Sequence, residues 1–261
     1  MKLDKLIHEL PVTVRVPSGR GNDLDVAGLC LNSSGAQPGF LFAALPGHKT
    51  HGIEYAASAA QSGAVAVLCE SAHAERVLTM GLVAVISDRP HFILAKLASR
   101  YYAERPRVIA AITGTNGKTS GTVFTRQIWT GLGYAAASFG TIGLIGDNWI
   151  EPSPLTTPDA VYFHQTLEQL HRRGITHLAF EAGSHGLHQG RIDGVVADVA
   201  AFTNLTRDHL DYHKTMQAYF EAKLRLFSDI LKPGGTAVVN RDIEQFDAIA
   251  QTCARRDIRV I

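Results

Sequence analysis

Short apolar runs alternate with stretches of helical periodicity along most of the chain, the pattern of an α/β protein. Phe40–Leu45 predicts a strand, followed by a helix from about Ile53 to Gln61 and a strand over Ala64–Leu68. A short helix near Ala72–Leu78, a strand over Leu82–Ile86 and a helix from Pro90 to about Glu104 complete a first region. Pro90 suits a first helical turn, where a backbone N–H has no partner to lose. Arg105-Pro106-Arg107 then breaks the pattern and divides the chain into domains of 1–106 and 107–261. Beyond the break, Val108–Thr113 is an almost continuous apolar run, as expected of a strand covered on both faces in a parallel sheet. A glycine-containing loop leads from it into a helix over about Lys118–Gly131, and Ala135–Phe139, His177–Phe180, Val196–Thr203 and Thr236–Asn240 predict further strands. The expected fold is α/β, a small N-terminal α/β domain followed by a mostly parallel-sheet domain. Arg259–Ile261 reads as a strand that has just begun, so the second domain is expected to be incomplete and the chain a fragment.

Composition narrows the class of protein. The chain has 261 residues, 46% of them hydrophobic, enough for one large or two small cores and too many for a disordered chain. Its 25 Lys+Arg against 24 Asp+Glu leave no basic footprint, which argues against nucleic acid as a partner. Cys30, Cys69 and Cys253 form no close pair, so neither a disulfide framework nor a zinc knuckle is expected. The opening MKLDKLIHELPVTV carries charges throughout and is not read as a signal peptide. No run approaches the ~18 apolar residues of a membrane helix, so no membrane insertion is expected and the cytoplasm is the expected compartment.

The chemistry concentrates in the second domain. Ile112-Thr113-Gly114-Thr115-Asn116-Gly117-Lys118-Thr119 lies between a buried strand and a helix. Glycines let backbone N–H groups converge on phosphate oxygens, and the helix N-terminus adds positive potential. Lys118 is placed to meet the outer phosphates of a nucleotide, and the Thr119 hydroxyl to help hold Mg²⁺. Ile112 stands where the usual phosphate-loop pattern has its first glycine; the plainer reading is a solvated turn capping the helix.

Downstream, Glu181 stands at the end of the strand His177–Phe180, where open α/β sheets bind ligands. Its carboxylate suits Mg²⁺, a hard cation that takes oxygen ligands; an ordinary exposed glutamate is the alternative. Ser184, His185, Gln189 and Arg191 follow in what reads as a polar loop, in which Arg191 either grips a carboxylate or phosphate or makes a surface ion pair. Asp208, His209, Asp211 and His213 crowd another loop, with His209 the best-placed ligand. In the helix starting at Met216, residues Met216, Tyr219, Phe220, Lys223 and Phe227 share one side, so Lys223 sits in an apolar stripe. Either its ammonium snorkels to water or burial lowers its pKa until the neutral amine can take up CO₂ as a carbamate.

Taken together, LFAALPGHKTHGIEYAASAAQSGAVAVL, GTNGKTS, LTTPDA, SHGLHQGRIDG and FTNLTRDHLDYHKTMQAYFEAKLRLF resemble the Mur ligases, ATP-dependent enzymes that build the peptide of bacterial peptidoglycan. The resemblance implies a UDP-sugar-binding first domain, a central ATP-binding domain and a third domain that the chain would lack. It implies ligation of an amino acid, meso-diaminopimelate first among the candidates, to UDP-N-acetylmuramoyl-L-alanyl-D-glutamate, with ATP and Mg²⁺, by a monomer. Gly114, Thr115, Asn116, Gly117, Lys118 and Thr119 would bind ATP; Thr119 and Glu181 would lie near one Mg²⁺, and His209 with carbamylated Lys223 near a second. Lys118, His209 and Lys223 would be the catalytic set. Leu31, Ser33, His48, Lys49 and Thr50 match positions that hold the UDP moiety. Thr156, Thr157, Ser184, Gln189 and Arg191 match the muramoyl-dipeptide site. Asn32-Ser33-Ser34 and Leu155 depart from the family pattern of Asp-Ser-Arg and Asn. A related ligase for L-lysine or another substrate, or a non-catalytic nucleotide- or UDP-sugar-binding remnant, are the other readings, and the chain alone is expected to leave the ligation incomplete.

Overall fold

The computed structural model describes residues 1–19, 23–47, 50–153 and 155–261. Two compact units emerge, Met1–Tyr101 and Tyr102–Ile261. In chain order the first unit contains α1 (Leu3–Ile7), β1 (Thr13–Arg15), β2 (Gly28–Cys30), β3 (Phe40–Ala43), α2 (Ala56–Gln61), β4 (Ala66–Cys69), α3 (Ala74–Thr79), β5 (Val83–Ile86) and α4 (Pro90–Tyr101). Its sheet runs β1-β5-β4-β3-β2, parallel except for β1. Phe42, Val67, Cys69 and Ala84 pack against Ile53, Ala56, Ala59 and Val77 from the covering turns and helices.

Three expectations shift here. The strand expected from Ala64 starts at Ala66, because Ala64 N–H still closes the end of α2 on Ala59 O. The helix expected to reach Glu104 stops at Tyr101, leaving 102–107 as irregular chain ahead of Val108. The 3₁₀ turn Gly52–Tyr55 precedes α2, so the helix expected from Ile53 is built in two pieces.

The second unit contains β6 (Val108–Thr113), α5 (Lys118–Gly131), β7 (Ala136–Gly140), β8 (Gly143–Ile145), β9 (Ile150–Glu151), α6 (Ala160–Arg172), β10 (His177–Glu181), α7 (Ser184–His188), β11 (Ala197–Phe202), α8 (Leu210–His213), α9 (Met216–Arg225), β12 (Leu231–Val239), α10 (Phe246–Ala254) and β13 (Arg259–Val260). The sheet order is β13-β12-β11-β6-β10-β7-β8-β9, parallel apart from the edge strands β8 and β9. Buried Ile109, Ala111, Phe139, Phe163, Leu178, Phe180, Phe202 and Phe227 hold the layers together.

Topology places the site. The chain leaves β6 toward β7 on one side, whereas it leaves β11 toward β12 on the other. Neighbouring strands whose connections diverge open a crevice at their carboxyl ends, where such sheets bind ligands. Register sets Glu181 beside Ile112 and Phe202 beside Thr113, so β6, β10 and β11 end level with one another.

Candidate functional site at the carboxyl edge of the second sheet

The loop after β6 is built around backbone that needs glycine. Gly114 and Gly117 adopt φ of 138° and 84°, in the region L side chains avoid, and a Cβ on Gly114 would run into the Thr203 hydroxyl. The loop is then tied to the segment after β11. Thr115 N–H donates to Asn204 O (2.9 Å), Asn116 N–H to Asn204 Oδ1 (3.0 Å) and the Thr203 hydroxyl to Asn116 O (2.6 Å). β11 was expected to include Thr203; it ends at Phe202, which frees Thr203 and Asn204 to clamp the loop. Lys118, half-buried, folds over the loop to donate to Gly114 O (3.0 Å) and Thr115 O (2.8 Å). Burial holds its pKa below the usual lysine value, against the raising pull of Glu181 and Asp208.

Glu181 is fully buried, which removes the surface-glutamate alternative. Its carboxylate accepts from the Thr119 hydroxyl (2.9 Å), Thr141 N–H (2.8 Å) and the Thr141 hydroxyl (3.3 Å). Thr119 and Glu181 thus present hydroxyl and carboxylate oxygens side by side, a donor set that fits Mg²⁺. Thr141 was not foreseen: it lies just past the end of β7, and its hydroxyl also meets that of Thr156 (2.9 Å), linking the phosphate side to the 156–157 segment.

Lys223 does not snorkel. Its side chain is buried, with Nζ donating to Gly114 O (2.7 Å) and lying 4.5 Å from the centre of the Tyr219 ring. Burial, with the nearby Lys118 charge, pushes its pKa down to about 7, against the opposing pull of Asp208. Tyr219 also meets the Thr115 hydroxyl at 3.3 Å. His209 is exposed, held at φ 51° by its own N–H to Asp208 Oδ1 (2.8 Å), and its ring lies 6.0 Å from that of Tyr219. The segment expected as a histidine-rich loop turns into α8, and His213 is buried within it. Burial and the surrounding His185, His188 and His209 drive the His213 pKa down to about 4, so its ring packs as a neutral group.

The polar segment after Glu181 was also expected to be loop, yet Ser184–His188 form α7, seeded by Leu187 N–H on Gly183 O. Thr157 braces its start, donating to Glu181 O (2.9 Å) and accepting from Gly183 N–H (3.0 Å). The Ser184 hydroxyl is buried without a partner among the described residues, a polar atom waiting for a ligand. Among the described residues Arg191 makes no surface ion pair of the kind weighed for it. Its Nε and Nη2 donate to Gln189 Oε1 (2.9 and 2.6 Å) and its Nη1 to Thr157 O (2.8 Å). Lys118, Thr119, Glu181, Thr156, Thr157, Ser184, Gln189, Arg191, His209 and Lys223 therefore all fall on or just beyond this one edge.

In the first unit, Leu31 follows β2, Ser33 opens the 3₁₀ turn Ser33–Gly35, and Thr50 lies in the segment after β3. β2 and β3 are parallel neighbours, which puts these segments at the same end of the sheet. His48 and Lys49 lie outside the described residues. His51, Glu70 and His73 bring one potential ligand atom each within 4.8 Å of one another. However, His51 Nδ1 accepts from Ile53 N–H (3.1 Å), so Nε2 carries the ring proton and donates it to Glu70 Oε2 (3.0 Å). In that tautomer neither nitrogen is open to a cation, and the group is a capped turn with a part-buried hydrogen bond from a neutral ring to a carboxylate.

No helix among the described residues is long and apolar enough to cross a membrane. A model of the Mur ligase middle domain matches residues 112–261, and one of the Mur ligase family catalytic domain matches residues 25–112. The UDP-N-acetylmuramoyl-L-alanyl-D-glutamate–2,6-diaminopimelate ligase of Bradyrhizobium diazoefficiens is 45% identical over 238 residues, covering 91% of this chain and 48% of that protein. The Brucella melitensis protein of the same name is 41% identical over 258 residues, 98% of this chain and 52% of its own. A solved structure of a ligase so named superposes with a TM-score of 0.77 at 30% identity, over 90% of this chain and 48% of that one. The chain spans about half the length of the curated relatives it matches.

Proposed function

The chain belongs to the Mur ligase family, and from that premise we propose that it binds ATP and a UDP-linked muramoyl dipeptide for an ATP-dependent ligase of peptidoglycan synthesis. The acceptor is UDP-N-acetylmuramoyl-L-alanyl-D-glutamate and the incoming amino acid meso-diaminopimelate, as in the names of the relatives. Residues 1–106 hold the UDP-sugar and 107–261 the ATP, in the cytoplasm, where both substrates are made. The observation that carries the reading is the shared edge at which Thr119 meets Glu181 and buried Lys223 meets the phosphate loop.

In this reaction a D-glutamate carboxylate oxygen attacks the γ-phosphorus of ATP, the bond to ADP breaks, and an acyl phosphate forms. The amine of the incoming residue then bonds to the acyl carbon, loses a proton and displaces phosphate. Lys118 neutralises the phosphate charge as it shifts, and the loop N–H groups orient it. Thr119 and Glu181 would hold one Mg²⁺, and His209 with Lys223 a second; when bound, these ions supply further charge neutralisation at phosphate oxygens. For its part Lys223, whose ammonium gives up its proton near pH 7, attacks CO₂ as the free amine through its nitrogen and releases a second proton to solvent, which turns the amine into a carboxylate ligand. Ser184, Thr156, Thr157, Gln189 and Arg191 position the dipeptide, so catalysis is chiefly alignment.

Calorimetric titration tests this. The chain should bind MgATP, and should bind UDP-N-acetylmuramoyl-L-alanyl-D-glutamate more tightly than UDP-N-acetylmuramate. Failure to bind MgATP, or equal affinity for the two UDP-sugars, would refute it.

A further inference from the structure

Arg191 can act on a ligand only if its guanidinium is aimed, and the structure shows what aims it. Three of its five N–H groups are committed, Nε and Nη2 to Gln189 Oε1 and Nη1 to Thr157 O, which leaves one on each terminal nitrogen. A guanidinium only donates, so the Gln189 atom facing it must be the amide oxygen. The amide nitrogen then faces the other way, where it donates to the Tyr212 hydroxyl at 3.0 Å. Having accepted that bond, Tyr212 Oη also meets His188 Nδ1 at 2.9 Å.

We propose that Tyr212 is a positioning residue for recognition of the peptide carboxylate: its hydroxyl locks the Gln189 amide and so fixes the edge that Arg191 presents to an anionic substrate group. This rests on the reading of the site as a muramoyl-dipeptide site. Tyr212 lies on α8, three residues past His209, whose backbone carbonyl accepts Tyr212 N–H at 3.2 Å. Its ring packs 4.2 Å from that of His185 on α7. One side chain thereby joins the segment after β11 to the helix after β10, and nothing in the local sequence around Gln189 or Arg191 points to it.

Tyr212→Phe keeps the ring and its packing and removes only the hydroxyl. The probes are UDP-N-acetylmuramoyl-L-alanyl-D-glutamate, UDP-N-acetylmuramate and MgADP, titrated into the whole chain. The preference for the peptide-bearing nucleotide should fall about tenfold in Tyr212→Phe, the scale of a lost bond that organises a charged group, with MgADP affinity unchanged. In a Gln189→Leu background the same substitution should cost nothing further. His188→Leu, at an exposed position, should lower the preference about twofold by removing its bond to the hydroxyl, and gives a second reading should Tyr212→Phe also lose MgADP. A full preference retained in both variants, or a second full loss in the Gln189→Leu background, would overturn the proposal. A parent chain with no preference for the peptide-bearing nucleotide would instead overturn the reading of the site, and this inference with it.

Discussion

The two units use polar residues in opposite ways. Among the described residues, the first unit buries one polar side chain, Ser87, whereas the second buries thirteen. Seven of those thirteen, Thr113, Thr115, Thr157, Glu181, Ser184, His213 and Lys223, lie at the carboxyl edge of the second sheet or on the helices that follow it. A buried polar group lowers stability unless its bonds are made, and most of these make theirs, so the cost falls on the Ser184 hydroxyl and His213 Nε2, which lack partners among the described residues, and on the buried Lys223 ammonium. The first unit is an apolar scaffold whose described candidates, Leu31, Ser33 and Thr50, lie half-buried or exposed outside its core. Its charged groups pair at the surface, as Arg76 does with Glu54 at 2.6 and 3.0 Å. The difference teaches that the candidate residues of the first unit ask little of its core, whereas those proposed to handle phosphate charge reshape the second.

The contrast can be broken most sharply at Lys118. Lys118→Ala should weaken MgATP binding by about a hundredfold, since the half-buried charge proposed to meet the phosphates is lost, while UDP affinity stays constant; parallel loss of both in calorimetry would show that the units do not act separately. Next comes Lys223. It releases its proton near pH 7 when folded and near its ordinary 10.5 when unfolded, so between those values the unfolded chain holds more protons and stability rises with pH. Below 7 both states are protonated and the buried ammonium is a pure cost. Lys223→Met should therefore stabilise the second unit by a few kcal/mol below pH 7 and flatten its pH dependence from 7 to 10.5. Urea unfolding at pH 6, 8 and 10 reads this, and a variant that keeps the parent's slope would remove Lys223 as its source.

A smaller effect is expected at Thr141. Thr141→Val retains the backbone N–H to Glu181 and loses the hydroxyl, so the gain in ATP affinity on adding Mg²⁺ should shrink about threefold and return in Thr141→Ser. Titrations with and without Mg²⁺ decide it, and an undiminished gain would confine Thr141 to a structural part. The smallest belongs to the first unit: Glu70→Gln should change stability by less than about 1 kcal/mol and leave UDP binding alone. A larger drop in thermal scanning would mean that this unit, too, depends on a polar cluster.

What the sequence made legible was local. The phosphate loop declares itself because two glycines, a lysine and a threonine must be adjacent to work, and Lys223 stands out because helical periodicity alone puts it among apolar neighbours. Helix α6 passed without notice although its signals were present: Asp159 accepts from Tyr162 N–H as an N-cap, and Ala160, Phe163, Leu167 and Leu170 are buried at helical spacing. Helix α7 gave no such signal, since five residues containing a glycine and two histidines have little intrinsic reason to be helical. Thr141 and Tyr212 were beyond reach for another reason. Each owes its part to strands and helices that the chain brings together only in three dimensions, so spacing in the sequence carries no trace of it.

The clamps on the phosphate loop have a consequence for how the molecule comes into being. Asn204 lies 88 residues after Asn116, and Lys223 lies 109 after Gly114. During synthesis the loop leaves the ribosome long before the residues that hold it, and closing segments of that length is slow compared with forming a helix. The proposed nucleotide affinity should thus be acquired late, after β11 has docked beside β6 and the Lys223 of α9 has reached the loop. Capture of a nucleotide by the nascent chain would then mark the moment when this half of the molecule is finished.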